Sequence, residues 1–445
     1  MDRDKTQSQQ DKRDGSSLLG GRTLAAMLPF VLITSCFALW GFANDITNPM
    51  VKAFSKIFRM SVTEGSLVQV AFYGGYFAMA FPAAMFIRRF SYKSGVLVGL
   101  GLYAAGAFMF YPAMLSGQYY PFLAAYFILT CGLSFLETSC NPYILAMGPS
   151  ATATRRLNLA QAFNPIGSLA GMWVAMHYIQ SRLNPLDSDG RALLDDNEFA
   201  AVRDSDLWVL VQPYLLLGLF ILTMIVLIAV VRMPRGAGDD GAKVNLRGSL
   251  ARLMSNRRYR EGVIAQFFYV GAQIMCWTFI IQYGSRIFMA DGMSETEAEV
   301  LSQRYNIAAM VAFCCGRFVC TWLLRFIDAQ RLLTVLAVAA AVLTAGVILC
   351  DGHAGLICLV SVSACMSLMF PTIYGLALEG VGDDAKIGAA GLVMSILGGS
   401  LLPPVQAAII DSRADFGLPP VNLSFVLPLI CFLAVALYGL RATKY

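Results

Sequence analysis

The sequence predicts an all-α integral membrane protein with roughly twelve transmembrane helices, arranged as two halves of six helices each. Three observations lead to this prediction. First, 57% of the 445 residues are hydrophobic and only 14% are charged, whereas a soluble domain carries about 25% charged residues. Second, long apolar runs alternate with short charged loops. Third, one long basic loop divides the apolar runs into two equal sets.

Each apolar run is long enough to cross a bilayer as a helix, which takes about 20 residues. The runs, numbered here as spans one to twelve, cover residues 25–50, 65–87, 94–113, 121–147, 157–180, 208–231, 260–289, 300–325, 331–350, 354–379, 387–411 and 421–440. They are too long and too continuously apolar for the alternating strands of a membrane barrel.

The basic residues predict how the chain is oriented. Arg88 and Arg89 follow span two, Arg155 and Arg156 follow span four, and the loop after span six is rich in Arg and Lys. Basic loops stay on the cytoplasmic side, so we expect both termini there. The predicted organisation is a cytoplasmic tail at 1–22, a first half at 23–232, a cytoplasmic linker at 233–258 and a second half at 259–445.

One loop departs from this orientation rule. Lys52, Lys56 and Arg59 follow span one and therefore fall on the predicted outer face. The loop at 182–207, which is rich in acidic residues, fits the outer face as expected. A single exception does not reverse the bias of the remaining loops.

The composition argues against several other functions. The net charge of +5 comes from residues in loops beside the spans, so it sets topology and does not predict a nucleic-acid partner. All eleven cysteines lie in apolar segments and form no Cys-x-x-Cys pair, as expected of small buried hydrophobic residues. No phosphate loop, His-Glu-x-x-His motif or nucleophile elbow is present, so we expect no enzyme, metal or cofactor.

Span four contains one ionisable residue, Glu137, which is the only Asp, Glu, Lys or Arg between residues 94 and 154. A carboxylate in hydrocarbon is costly, so it is expected to face a protein interior or a water-filled cavity and to be functional. The alternative is a helix-end carboxylate that reaches the membrane surface, but about fifteen apolar residues precede Glu137. Asn141 lies four residues later on the same helix face, and Pro142 removes a backbone donor.

Span one carries a second acidic residue, Asp45, the only charged side chain between Arg22 and Lys52. Asn44 and Asn48 are four residues apart, and Asp45 and Asn48 three apart, so each pair can share a helix face. The alternative interpretation is a polar helix end that meets water at the outer surface.

Span five places Gln161, Asn164 and Ser168 on one helix face. Such amides can pack helices together through hydrogen bonds, or they can present donors and acceptors to a polar solute. We favour the solute, because spans one, four and five would then offer acidic and amide groups to one place.

Span seven carries a stripe of Gln266, Tyr269, Gln273 and Trp277. Amides bind hydroxyl groups directionally, and an aromatic face covers the C–H face of a sugar ring, so the combination favours a carbohydrate. Ordinary packing of aromatic residues remains the alternative.

Six stretches, in chain order, together resemble one known family. They are Phe37-Ala-Leu-Trp40, Leu136-Glu-Thr138 with Asn141-Pro142, 157–164, Ala265-Gln266 with 269–273 and Cys276-Trp277, Gly316-Arg-Phe318, and Pro371-Thr-Ile373. The chain resembles the fucose–proton symporters, bacterial sugar permeases of the major facilitator superfamily. The resemblance implies the major facilitator fold, alternating access, and uptake of a 6-deoxyhexose such as L-fucose, driven by the proton gradient across the inner membrane.

In that family one acidic residue in span one and one in span four are functionally important. The span-four acid matches Glu137. The family pattern has Asn-Asp where this chain has Thr47-Asn48, and an aspartate stands one turn earlier, at Asp45. We therefore predict Glu137 as the proton carrier, with Asp45 as a second proton-coupling group or a sugar ligand. The predicted sugar-binding residues are Asn44, Asp45, Asn48, Asn141, Gln161, Asn164, Gln273 and Trp277.

The predicted function is a proton-coupled symporter that imports L-fucose or a related monosaccharide. Its expected partners are the sugar, protons and the lipid bilayer, and we expect a monomer that binds no nucleic acid. Three alternatives stay open: an uncoupled sugar facilitator, a sodium-coupled carrier, and a membrane sugar sensor that does not transport.

Overall fold

The computed structural model describes residues 24–47, 50–60, 64, 67–184, 186, 190–191, 193–233, 246–350, 352–411 and 418–442. The predicted N-terminal tail, Asn48, and residues 234–245 of the predicted linker lie outside the described residues. Within those ranges the secondary structure is helical, and no strand is present.

The α-helices are numbered here in chain order. They are α1 Leu24–Thr47, α2 Met50–Ile57, α3 Leu67–Arg89, α4 Tyr92–Ser116, α5 Tyr120–Ala146, α6 Ala153–Gln161, α7 Phe163–Val174, α8 Asp196–Val230, α9 Leu246–Ser255, α10 Arg257–Ala290, α11 Glu295–Leu323, α12 Ala329–Leu349, α13 His353–Met366, α14 Met369–Leu378, α15 Ala385–Met394, α16 Gly398–Asp411, α17 Pro420–Ser424 and α18 Val426–Ala442. A π-helical turn, Ala175–Gln180, extends α7.

In the described part of the chain, 11 helical segments are long and apolar enough to cross a membrane. They correspond to all the predicted spans except span five. That span is not one continuous helix, because α6 ends at Gln161 and α7 begins at Phe163. Pro165 contributes to the break, since it lacks the N–H group that would otherwise bond to the carbonyl of Gln161.

The described residues fall into two compact units. The first, called the N unit here, draws on Gly21–Met147 and Phe163–Val244, and the second, the C unit, on Gly148–Ala162 and Asn245–Tyr445. The break in span five therefore coincides with a boundary between units, with α6 in the C unit and α7 in the N unit.

Close packing of α1 against α7 is one of the main contacts of the N unit. A Cβ atom at Gly41 would overlap the carbonyl oxygen of Asn164, and one at Gly167 would overlap that of Ala38. Glycine is therefore required at both positions for the two backbones to approach, a common device in membrane helix pairs. In the same unit, α5 packs against both α3 and α4.

The structure gives a role to Lys56 and Arg59, two of the three basic residues that oppose the orientation rule, whereas the side chain of Lys52 lies outside what the structure describes. In the N unit, the Arg191 guanidinium and the Asp206 carboxylate form a buried ion pair of 2.6 Å. Lys56 Nζ donates to the carbonyl oxygen of Asn184 at 3.1 Å, and Arg59 donates to the carbonyl oxygen of Arg191. Lys56 and Arg59 thus bond to the described part of the predicted 182–207 loop that precedes α8, which accounts for two positive charges on the predicted outer face.

The C unit is built around α10, which packs against α11, α14, α16 and α18. The short helix α6 packs against α11 and α14 in this unit. The described end of the predicted linker, α9, is fixed by Arg252, whose guanidinium donates to both carboxylate oxygens of Asp384 at 2.6 and 2.8 Å.

Candidate functional site

Glu137 lies about two thirds of the way along α5 and is fully buried, with 0% of its surface exposed. Neither of its carboxylate oxygens accepts a hydrogen bond from any described residue. One turn earlier, Ser134 Oγ donates to the carbonyl oxygen of Tyr76 at 3.0 Å and fixes α3 against α5 beside the carboxylate. The apolar sequence of α5 thus places a carboxyl group in a buried position where no described residue donates a hydrogen bond to it.

Asn141 lies one turn after Glu137 and is also fully buried. Its Nδ2 atom donates to the backbone carbonyl oxygen of Glu137 at 3.0 Å. The predicted shared face is therefore present, but this hydrogen bond joins the amide to the backbone and not to the carboxylate.

Asp45 lies two residues before the end of α1 and is only 8% exposed. Asn44 beside it is half-buried. On α3, Tyr73 interacts electrostatically with Asp45, and Tyr76 one turn later interacts with Glu137. One helix of the N unit thus carries a tyrosine within electrostatic range of each of the two predicted proton-coupling residues.

The predicted stripe on span five is divided by the helix break. Gln161 is buried at the end of α6 in the C unit. Asn164 and Ser168 lie on α7, where Asn164 Nδ2 donates to the carbonyl oxygen of Phe37 at 3.3 Å and Ser168 Oγ to that of Gly41 at 3.4 Å. These two hydrogen bonds join α7 to α1, as the helix-packing alternative expects, and the sugar-binding role of Asn164 stays a prediction.

The stripe on span seven is present on α10. Gln273 and Trp277 are half-buried. Trp277 Nε1 donates to Ser363 Oγ at 3.2 Å, and its ring meets the Phe313 ring edge-on with centroids 5.0 Å apart. These contacts fix the indole ring while leaving part of its surface exposed.

Two buried amides of the C unit are not among the predicted sugar-binding residues. Gln266, from the same stripe, is fully buried, and neither its Oε1 nor its Nε2 has a partner among the described residues. Asn158 on α6 donates to Thr372 Oγ1 at 3.1 Å, whereas its Oδ1 has no partner within the described ranges. Gln266 lies on the same helix face as Gln273, and this spacing could have identified it as a further sugar-binding candidate.

The two units offer different chemistry. The N unit holds a buried carboxyl group that can exist as a neutral acid or as an uncompensated charge, which is the property required for binding and releasing a proton. The C unit holds buried amides whose donors and acceptors are unused among the described residues, and it also holds a half-buried indole ring. This combination of groups suits a polyhydroxylated solute.

Helices able to span a membrane that carry buried acidic and amide side chains are typical of solute transporters. A family model of the Major Facilitator Superfamily matches residues 33–403. The chain belongs to this superfamily, so the predicted fold class is confirmed.

Known relatives cover nearly the whole chain. It is 49% identical over 423 residues to the L-fucose-proton symporter of Haemophilus influenzae, covering 94% of this chain and 97% of the relative. It is 33% identical to the L-fucose-proton symporter of Escherichia coli, covering 94% of each chain. It is 31% identical to a glucose/galactose transporter of Brucella abortus, covering 93% of each. These relatives are transporters and not enzymes.

A solved structure confirms the likeness of fold. The major facilitator transporter FucP in its outward conformation is 32% identical, with a TM-score of 0.84, covering 94% of this chain and 99% of that one. The proton:xylose symporter XylE, at 13% identity and a TM-score of 0.67 over 94% of this chain and 95% of that one, shares the fold alone.

Proposed function

We propose that this chain imports L-fucose together with a proton by alternating access. The observation that carries the proposal is Glu137, a fully buried carboxyl group whose oxygens accept no hydrogen bond from the described residues. An ionised carboxylate without donors is costly in a membrane interior, and a bound proton removes that cost. The 49% identity to an L-fucose-proton symporter supports both the sugar and the coupling ion.

In the proposed cycle, Glu137 takes up a proton from the outside, where proton activity is higher. The neutral side chain is compatible with a closed, dry interior, so protonation favours the change to the inward-open state. Release of the proton to the cytoplasm restores the charge and favours the return. Asp45 is the second candidate for proton coupling, supported by its burial within α1.

The sugar is proposed to bind amide and acidic groups through its hydroxyls and the indole of Trp277 through its C–H face. The proposed ligands are Asn44, Asp45, Asn48, Asn141, Gln161, Asn164, Gln273 and Trp277, to which the unpartnered amide of Gln266 is added. Glucose or galactose is the second candidate substrate, because relatives at 31% identity transport those sugars by name.

The remaining features of the proposal concern the whole protein. We place it in the bacterial inner membrane as a monomer, with both termini and the linker in the cytoplasm. The linker at 233–258 joins the two halves, and its basic residues predict its cytoplasmic location. Insertion of a reporter after residue 20 or in the linker, tested for access in intact cells, checks this orientation.

Glu137→Gln in proteoliposomes tests the coupling. With an imposed proton gradient, the wild-type protein should accumulate labelled L-fucose, while the variant should lose accumulation because its amide binds no proton. Exchange of labelled for unlabelled L-fucose at equal pH needs no net proton movement, so the variant should retain it.

The matched control is Glu198→Gln, the same chemical change at an exposed position, which should accumulate sugar like the wild type. Accumulation by the Glu137→Gln variant would exclude Glu137 as the proton carrier. Uptake that depends on sodium, or that equilibrates without accumulating, would instead identify a sodium-coupled or uncoupled carrier. Binding without flux would identify a sensor. A panel containing L-fucose, galactose, glucose and arabinose determines the sugar.

A further inference from the structure

Arg317 is a buried cation in a membrane helix without an acidic partner among the described residues. It lies on α11 with 2% of its surface exposed. Its Nε donates to the carbonyl oxygen of Ser367 at 2.5 Å, and its Nη1 to that of Gln161 at 2.9 Å. Its guanidinium carbon stands 4.6 Å from the centroid of the Phe313 ring. The residue is therefore held by backbone oxygens and an aromatic face, all within the C unit.

The two carbonyl groups share one property in the sequence. In an α-helix, the carbonyl of residue i accepts from the N–H of residue i+4. Residue i+4 is Pro165 for Gln161 and Pro371 for Ser367. Proline has no N–H, so each carbonyl lacks its regular helical donor. In a membrane interior such a carbonyl must find another donor, because no bulk water is available to replace it.

Arg317 supplies both missing donors from a single side chain. The planar guanidinium carries five N–H groups in a fixed fork, so it can reach two acceptors on two helices at once. One acceptor lies where α6 ends in span five, and the other lies where α13 ends in span ten. Gln161, Arg317 and Ser367, which come from three different predicted spans, are therefore joined by hydrogen bonds within the C unit.

A second contact supports the same docking of α6. Asn158, one turn before the end of α6, donates to Thr372 Oγ1 at 3.1 Å. Thr372 immediately follows Pro371 in span ten. The end of α6 is therefore held at two places: Asn158 bonds directly to span ten, and Gln161 bonds to Arg317, which is itself bonded to Ser367 of span ten. Together they fix the place of Gln161 within the C unit.

We propose that Arg317 is a positioning residue for sugar binding, which replaces the backbone donors absent at Pro165 and Pro371 and thereby sets the place of Gln161. The proposal rests on the proposed role of Gln161 as a sugar ligand. In this role the guanidinium donates hydrogen bonds to two backbone carbonyl groups, so the geometry of its N–H groups matters as well as its charge.

A double-mutant cycle between Arg317 and Gln161 tests the proposal. Arg317→Lys keeps the charge, but its single ammonium group cannot span both carbonyls, so the KM for uptake should rise roughly tenfold, the loss of one charge-assisted hydrogen bond. If Arg317 acts through Gln161, then adding Arg317→Lys to Gln161→Ala should raise KM no further than Gln161→Ala alone. Additive effects, or a wild-type KM for Arg317→Lys, would overturn the proposal.

Restoring the missing donors provides a test that does not depend on transport. Arg317→Gln should lower the melting temperature of the detergent-solubilised protein. In a background carrying Pro165→Ala and Pro371→Ala, the backbone again donates to both carbonyls, so the same substitution should cost less than half as much. An equal loss in both backgrounds would overturn the backbone role.

The control is Arg325→Gln, the same change at an exposed arginine that follows the same helix, which should alter neither KM nor melting temperature. The cycle is run with the sugar that the wild type transports in the panel. A wild type that transports no sugar would contradict the proposed function, whereas the melting experiment would still decide the role of Arg317.

Discussion

Glu137 in the N unit and Arg317 in the C unit are both ionisable side chains buried in membrane helices, but only Arg317 has hydrogen-bond partners among the described residues. Arg317 donates to two backbone carbonyls and lies over an aromatic ring. Glu137 accepts no hydrogen bond from the described residues. A charge with fixed partners is part of the architecture, whereas a charge without partners is stable only when it is neutralised.

This difference distinguishes structural from functional charges better than burial alone. Arg191 and Asp206 are also almost completely buried, but they pair with each other at 2.6 Å, and Asp206 Oδ1 accepts from the backbone N–H of Asn184 at 2.8 Å. By this criterion they belong with Arg317. Among these groups, Glu137 is therefore the one expected to exchange a proton during the transport cycle.

The largest expected effect is the loss of the buried ion pair in the N unit. Asp206→Ala leaves the Arg191 charge buried without its carboxylate and should destabilise the protein by about 3–5 kcal/mol. Chemical denaturation or thermal melting in detergent measures the loss. Asp204→Ala, at an exposed position on the same helix, is the control and should cost less than about 1 kcal/mol. Equal losses in the two variants would remove the distinction between paired and surface charges.

A smaller effect of opposite sign is expected at Glu137. Glu137→Gln replaces a carboxyl group whose oxygens accept no hydrogen bond from the described residues with a neutral amide of similar shape, so no hydrogen bond of the carboxylate in the described structure is lost. The variant should be as stable as the wild type or more stable by about 1–2 kcal/mol at neutral pH. Melting in detergent, on the preparation used for transport, measures this. A clear loss of stability would mean that Glu137 has a structural partner and would end the contrast with Arg317.

Much of the fold could be predicted because a bilayer requires long apolar helices, and such runs are visible in sequence. The isolation of Glu137 among apolar residues was visible for the same reason. Its burial is now observed, whereas the roles assigned to it and to the other site residues stay predictions.

The helix break in span five could not be predicted from local sequence. Pro165 alone does not decide between a kink and a break, since Pro142 lies inside the continuous α5. The carbonyl oxygen of Gln161 accepts a hydrogen bond from Arg317, which is 156 residues away in sequence. The exceptional charges of Lys56 and Arg59 have the same kind of explanation, because their acceptors lie in the distant 182–207 loop. Long-range acceptors and donors leave no local pattern.

The smallest effect concerns a carboxylate in water, Glu297 in the first turn of α11. The hydroxyl of Ser294 donates to its Oε2 at 2.7 Å and the backbone N–H of Ser294 at 3.2 Å, and these hydrogen bonds lower the pKa of Glu297. Because the folded-state pKa is depressed, the stabilisation is complete above the pKa of the unfolded chain and is lost as pH falls through the folded value.

Glu297→Ala should therefore lower the melting temperature slightly at neutral pH, and the difference from the wild type should vanish as the solution is acidified below the normal range of a glutamate, about pH 4. Parallel melting curves of both proteins across this range measure it. A difference that stays constant with pH would mean that the side chain acts through packing. The three carboxylates would then no longer differ only in their bonding, in which Glu297 is hydrogen-bonded at the surface, Asp206 is ion-paired, and Glu137 accepts no hydrogen bond from the described residues.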